Sequence, residues 1–255
     1  DPYRIDATIS TLYYINAKGG KIILMTHAGR PKNKKTGEIA VSDDTSVQPI
    51  VDYLQNKLHI TIKVPEFQQH GTHGYLDVET SINHLIRDLN DHTIDMVYLP
   101  NTRWFFGEEA KGPEADRFAY QLAGLADIFV NDAFGSWQAH ASTVNVAKYL
   151  PAYAGFLLQK EISNLERIYN PDRPFVSVVA GSKFDTKVDS LNALLKVSDH
   201  LILGGVIYNA FLCAKYGFTI EGIEPEDMEL AKKFVVYAAQ FPGKLIELPF
   251  IVESD

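Results

Sequence analysis

The chain has 255 residues, 46% of them hydrophobic, enough to bury one large core or two smaller ones. Its formal net charge of −8 argues against a basic surface for nucleic acid, so any bound anion must be met by local groups of Arg and Lys. Cys213 has no second cysteine to pair with, no apolar run reaches membrane-spanning length, and DPYRIDATIS lacks the regions of a signal peptide; a cytoplasmic monomer with small-molecule partners, no nucleic acid and no membrane is expected.

In chain order, Ile5, Ile9, Leu12 and Ile15 recur at helical spacing and predict an amphipathic helix over 4–17, ended by Gly19 and Gly20. Within residues 21–25, KIILM, Ile22, Ile23, Leu24 and Met25 are apolar without alternation, which predicts a buried parallel strand. A polar excursion over 32–44 reads as a mobile loop. A helix over 47–58, a strand over 60–64, a helix over 81–89 and a strand over 96–99 stopped by Pro100 follow. Pro113, Glu114 and Asp116 open a helix over 113–125, and 128–130 is the next strand. The rhythm changes at LPAYAG, 150–155, before a long helix over 156–169 ended by NPDRP. Strands over 175–179, 200–203 and 244–248 then alternate with helices over 183–197, 206–216 and 225–239. This alternation predicts an α/β fold of two Rossmann-like, doubly wound parallel-sheet lobes joined by a helix, divided as 1–154, 155–170 and 171–255. The opening helix without a leading strand, and the closing LIELPFIVESD, suggest a piece of a longer protein, truncated at both ends.

Ligands of open α/β sheets sit beyond the carboxyl ends of the strands, which is where the polar residues collect. The first strand end offers His27 and Arg30, the third Asn101 and Arg103, the fourth Asn131, Asp132, Gln138 and His140, and Arg4 opens the first helix. If these strands share one sheet, Arg4, His27, Arg30 and Arg103 converge as an anion pocket. The strand over 175–179 runs into Gly181-Ser182-Lys183-Phe184-Asp185-Thr186-Lys187, a glycine turn whose backbone N–H groups suit phosphate. Lys183 and Lys187, placed on one helix, would share a face about 6 Å apart, and Gly204-Gly205 ends the next strand with bare backbone. The spacing is neither a Walker A loop nor a dinucleotide fingerprint, which disfavours an oxidoreductase. His70 and His73 lack a third ligand, so no metal site is expected. Glu108, Glu109, Glu114 and Asp116 read as a solvated acidic loop and helix start, and Tyr and Phe mostly fall at core spacing.

THAGRP at 26–31, LPNTRWFFGEEAKG at 99–112, FVNDAFGSWQAHAST at 129–143, AGFLLQKEISNL at 154–165, RPFVSVVAGSKFDTKVDSL at 173–191 and LILGGVIYNAFL at 201–212 resemble, in this order, the signatures of the phosphoglycerate kinase family. The resemblance covers nearly the whole chain. It implies 3-phosphoglycerate on the N-terminal lobe, at Arg4, His27, Arg30, Arg103 and His140, and Mg²⁺ with ATP or ADP on the C-terminal lobe, at Gly181, Ser182, Lys183, Lys187 and Gly205. Arg4 and Lys183 would then supply the catalytic charge, and 156–169 would be the interdomain helix. Three departures stand out. The family's DAFG is commonly followed by a form like GTAHRAH, whereas Gly135-Ser136-Trp137-Gln138-Ala139-His140 is one residue shorter and lacks its Arg. The residue before the second lysine is Thr186 rather than acidic, and Val206 replaces a third glycine. The resemblance also implies substrate-binding Asp and Asn before Asp1, and a Gly-Gly-Asp turn with a nucleotide-site Glu after Asp255. The expected function is phosphoryl transfer between 1,3-bisphosphoglycerate and ADP. An inactive nucleotide- or phosphate-binding relative is the alternative that the altered loop suggests.

Overall fold

Short apolar runs become the parallel strands of three small sheets in the computed structural model, which describes residues 2–136 and 138–248. The chain divides into two units, Asp1–Ile162 and Ser163–Asp255.

In the first unit, β1 (Ile22–Leu24) and β2 (Ile62–Lys63) flank β3 (Met96–Tyr98), and both Ile22 and Ile62 stand opposite Met96. Strand alternation sends neighbours to opposite faces. Met96 and Tyr98 join one core with Leu12 of α1 (Pro2–Ala17) and Val51 and Leu54 of α2 (Gln48–Leu58). Val97 and Leu99 join another with Leu85 and Leu89 of α3 (Ile82–Asn90) and Phe118 and Leu122 of α4 (Pro113–Ala123). Helices thus cover both faces, which is why these strands show no polar alternation.

Four expectations for this unit need correction. β4 (Phe129–Asn131) does not extend that sheet; it pairs only with β5 (Ala152–Ala154). β5 itself gives no apolar run to read, since Ala152 and Tyr153 are exposed and Pro151 precedes them. The segment over 32–44 is pinned, with Ile39 only 3% exposed, Lys32 bridged to Ile39 and Asn33 hydrogen-bonded through its backbone to Glu38 and Gly37. Several tyrosines, among them Tyr13, Tyr14, Tyr120 and Tyr153, are exposed rather than in the core.

α5 (Phe156–Glu166) has a built start. Phe156 N donates to Thr11 Oγ1 at 2.9 Å and Leu158 N to Asp132 Oδ1 at 3.0 Å, satisfying N–H groups that a helix cannot satisfy itself. A Cβ on Gly155 would lie 2.3 Å from Asp132 Cγ, so glycine is what lets this carboxylate reach the helix.

The second unit carries a parallel sheet of order β6 (Val176–Gly181), β7 (His200–Gly205) and β8 (Leu245–Ile246). Its core gathers Phe184, Leu191 and Leu195 of α6 (Val188–Val197), Phe211 of α7 (Val206–Tyr216) and Phe234 of α8 (Pro225–Ala238). Cys213 is buried there, as a packing residue. The part of LIELPFIVESD from 249 onward, and Trp137 of the altered loop, lie outside the described residues. Among the described residues no helix is long and apolar enough to cross a membrane.

Candidate functional site

The end of β3 organises the first site through one side chain. Asn101 is fully buried, and its amide makes four hydrogen bonds. Nδ2 donates to Ala28 O at 2.7 Å and Thr45 O at 2.8 Å, while Oδ1 accepts from Ala28 N and Arg103 N, each at 3.1 Å. The loop after β1, the turn at Asp43–Thr45 and the turn at Thr102–Trp104 are thereby stapled together. Backbone bonds from Leu99 N to Leu24 O and from Thr102 N to Thr26 O continue the sheet register into the loops.

This staple fixes where the cations sit. Arg103 Nη1 donates to Gly29 O across the two loops, and its Nε lies 3.0 Å from the Glu109 carboxylate without a well-directed hydrogen bond. The His27 and His140 rings meet edge to face, centroids 5.7 Å apart. His140 Nε2 is 3.9 Å from Glu109, and its Nδ1 is buried with no partner among the described residues. Burial, then the charge of Arg103 and the neighbouring His140, push the His27 imidazole down to about 4, so the ring is neutral at pH 7.

Glu108 corrects the solvated-loop expectation. It is fully buried, and its carboxylate accepts from Thr102 Oγ1 at 3.0 Å, Ser142 Oγ at 2.6 Å and Ser142 N at 3.0 Å. These donors replace the water a buried carboxylate loses, and they bring the segment carrying His140 against the segment carrying Arg103. Nothing in the acidic run marks it as buried; the signal lies in hydroxyls at Thr102 and Ser142, the latter far off in sequence.

Of the residues singled out for this site, His27, Arg103 and His140 are brought together. Arg30 is exposed in the same loop as His27, and Arg4 is exposed in the first turn of α1; neither side chain has a polar partner among the described residues. Convergence of Arg4 on the cluster does not appear among these contacts.

The second site lies at the ends of β6 and β7, where register sets Gly181 opposite Gly205. Gly205 has φ +65°, and a Cβ there would lie 3.0 Å from Gly181 O, so this turn requires glycine at 205. Phe184 is buried in the core, and Phe184 N and Asp185 N both donate to Asp227 Oδ1 at 3.0 Å. That carboxylate, from the first turn of α8, holds the loop open as far as Lys187. Here a second correction follows: α6 begins only at Val188, so Lys183 and Lys187 do not share a helix face. Lys187 folds back instead, its Cε 3.5 Å from the position of a Gly181 Cβ. Ser182 and Lys183 are exposed, and the side chains of Ser182, Lys183 and Lys187 have no polar partner among the described residues.

Parallel sheets flanked by helices, with glycine and cationic groups at their carboxyl ends, define a Rossmann-like α/β fold. The family model described as phosphoglycerate kinase matches residues 1–253, and the chain belongs to the phosphoglycerate kinase family. A phosphoglycerate kinase of Moorella thermoacetica is 37% identical over 251 residues, 96% of this chain and 58% of that protein. One from Borrelia garinii is 35% identical over 264 residues, 100% of this chain and 61% of its own length. The chain thus spans about three fifths of these relatives. Among solved structures, phosphoglycerate kinase from Coxiella burnetii superposes with a TM-score of 0.71 at 31% identity, covering 96% of this chain and 58% of that one. The enzyme from Pyrococcus horikoshii, at 23% identity and TM-score 0.69 over 95% of this chain and 58% of that one, shares the fold.

Proposed function

We propose that the protein carries out the reaction of its family in glycolysis. A phosphoryl group moves reversibly from 1,3-bisphosphoglycerate to ADP, giving 3-phosphoglycerate and ATP, in the cytoplasm and with a monomeric enzyme. A β-phosphate oxygen of ADP attacks the acyl phosphorus, the bond from phosphorus to the carboxyl oxygen breaks, and the carboxylate leaves with that electron pair. Such a transfer asks the protein for alignment, dryness and positive charge rather than covalent chemistry.

In this reading phosphoglycerate is held by Arg103, His140, neutral His27, Arg30 and Arg4. The nucleotide phosphates lie on the backbone of Gly181, Ser182 and Gly205 under Lys183 and Lys187. Arg4 and Lys183 offset the charge that develops in transfer, and closure about α5 brings the substrates together. The observation that most supports the reading is the assembly of His27, Arg103 and His140 from three separate segments, with the exposed Arg30 on the same loop as His27. Magnesium enters only as the ion that travels with nucleotide phosphates. The buried carboxylate at the second site, Asp227, is engaged by two backbone N–H groups, so the described residues form no magnesium cage and no step is assigned to one.

The test is ATP formation from bisphosphoglycerate by the complete protein, measured in a coupled assay. Lys183→Ala is expected to lower kcat by roughly a hundredfold or more. Undiminished turnover would remove Lys183 from the mechanism, and absence of any turnover in the unsubstituted protein with ADP binding retained would favour an inactive relative.

A further inference from the structure

The side chains around the first site include a donor set that phosphoglycerate binding explains only in part, since it uses His27 and His140 but not the carboxylate of Glu108. His27, Glu108 and His140 each present one ligand atom, and these three atoms lie within 4.8 Å of one another. We infer that they form a binding site for a divalent cation of the Zn²⁺ class, with two imidazole nitrogens and one carboxylate oxygen as ligands.

Four observations carry this. First, His140 is 7% exposed and its Nδ1 has no hydrogen-bond partner among the described residues; a buried ring nitrogen left in that state is costly unless something binds it. Second, the Glu108 carboxylate is oriented by Thr102 Oγ1, Ser142 Oγ and Ser142 N, the outer-shell arrangement that commonly steadies a ligating carboxylate. Third, the two rings already stand near a ligating separation. With metal to nitrogen distances of about 2.0–2.1 Å, two imidazoles on a tetrahedral ion have centroids roughly 5 Å apart, against 5.7 Å here. The tetrahedral edge between ligand atoms is roughly 3.4 Å, so small side-chain rotations close the set. Fourth, the charge is suitable. Arg103 Nε lies beside Glu109, which offsets its repulsion, and the Glu108 carboxylate remains to meet a dication.

Ligand chemistry selects the ion. Nitrogen donors suit Zn²⁺, Co²⁺ or Ni²⁺, whereas Mg²⁺ and Ca²⁺ prefer an all-oxygen shell. Three protein ligands leave a fourth position open to water.

The experiment is titration of the full chain with Co²⁺, read by its visible absorption, followed by displacement with Zn²⁺ and a parallel challenge with Mg²⁺. One equivalent of Co²⁺ is expected to give the intense band of a tetrahedral site, lost to stoichiometric Zn²⁺ and untouched by excess Mg²⁺. His27→Ala and His140→Ala should each weaken binding at least tenfold. His70→Ala with His73→Ala, which removes the exposed histidines of another loop, should leave it unchanged. Circular dichroism establishes folding. Should His140→Ala not fold, the partly exposed His27 supplies the decisive variant. No band with the unsubstituted chain overturns the inference, as does a band that survives His27→Ala or disappears with the His70 and His73 pair.

Discussion

Asn101 is the side chain on which the first site depends, and replacing it tests the physical reasoning most sharply. Each of its four hydrogen bonds is worth about 0.5–1.5 kcal/mol net. All four partners are backbone groups: two belong to Ala28 in the loop that carries His27, one to Arg103, and one to Thr45 in the turn at Asp43–Thr45. Asn101→Ala removes all of them at a fully buried position, a loss of about 4 kcal/mol, at the severe end for one substitution and a large part of a typical 5–15 kcal/mol. Asn101→Asp is the subtler variant. It keeps both acceptor bonds but turns the Nδ2 donor into an oxygen facing Ala28 O and Thr45 O, so it should be no less damaging despite its near-identical shape. Urea unfolding followed by tryptophan fluorescence is the assay, because Trp104 packs in the first unit's core and its indole N–H donates to Thr45 Oγ1, so its emission follows that unit's unfolding. A loss below about 1 kcal/mol for both variants would refute the claim that this amide holds the loops together.

Three further outcomes follow from individual contacts. Glu109→Gln removes the carboxylate beside Arg103 Nε and frees that guanidinium; for a partly exposed pair worth under about 1 kcal/mol, 3-phosphoglycerate should bind up to about fivefold more tightly by calorimetry, and weaker binding would count against Arg103 as an anion ligand. Asp227→Ala strips two charge-assisted bonds from the loop at Phe184 and Asp185, so it should destabilise the second unit by about 2–4 kcal/mol and weaken ADP binding while leaving 3-phosphoglycerate binding unchanged. The Asp199 carboxyl is held below the usual carboxylate range by the Phe175 backbone N–H and by Arg173; the folded state therefore gains stability above the unfolded pKa and loses it as pH falls through the lower folded value. Acid unfolding of Asp199→Asn should show a shallower limb in that window, and an unchanged limb would remove Asp199 as a contributor.

Much of the fold was legible because it rests on local signals. Residues 22–25 and the strand at 96–98 are apolar throughout since helices cover both faces, and α1 through α4 follow their apolar spacing to within a few residues. What escaped notice depends on partners distant in sequence. β5 has two exposed residues and is a strand only because β4 lies beside it. The helix expected from 183 starts at Val188, because a carboxylate more than forty positions on holds the preceding loop by its backbone. Glu108 looked solvated, and only Ser142 and Thr102 make its burial tolerable. The cations at strand ends were readable as types in places; which of them meet was not, and His27, Arg103 and His140 gather while Arg4 stays on an exposed helical turn.

The account's central claim is a division of labour between two anion sites, and paired binding measurements address it directly. Calorimetric titration of 3-phosphoglycerate and of ADP against Arg103→Ala and Lys183→Ala should give opposite losses: the arginine variant loses at least tenfold in phosphoglycerate affinity with ADP unaffected, and the lysine variant does the reverse. Equal effects on both ligands, or phosphoglycerate binding indifferent to Arg103, would contradict it.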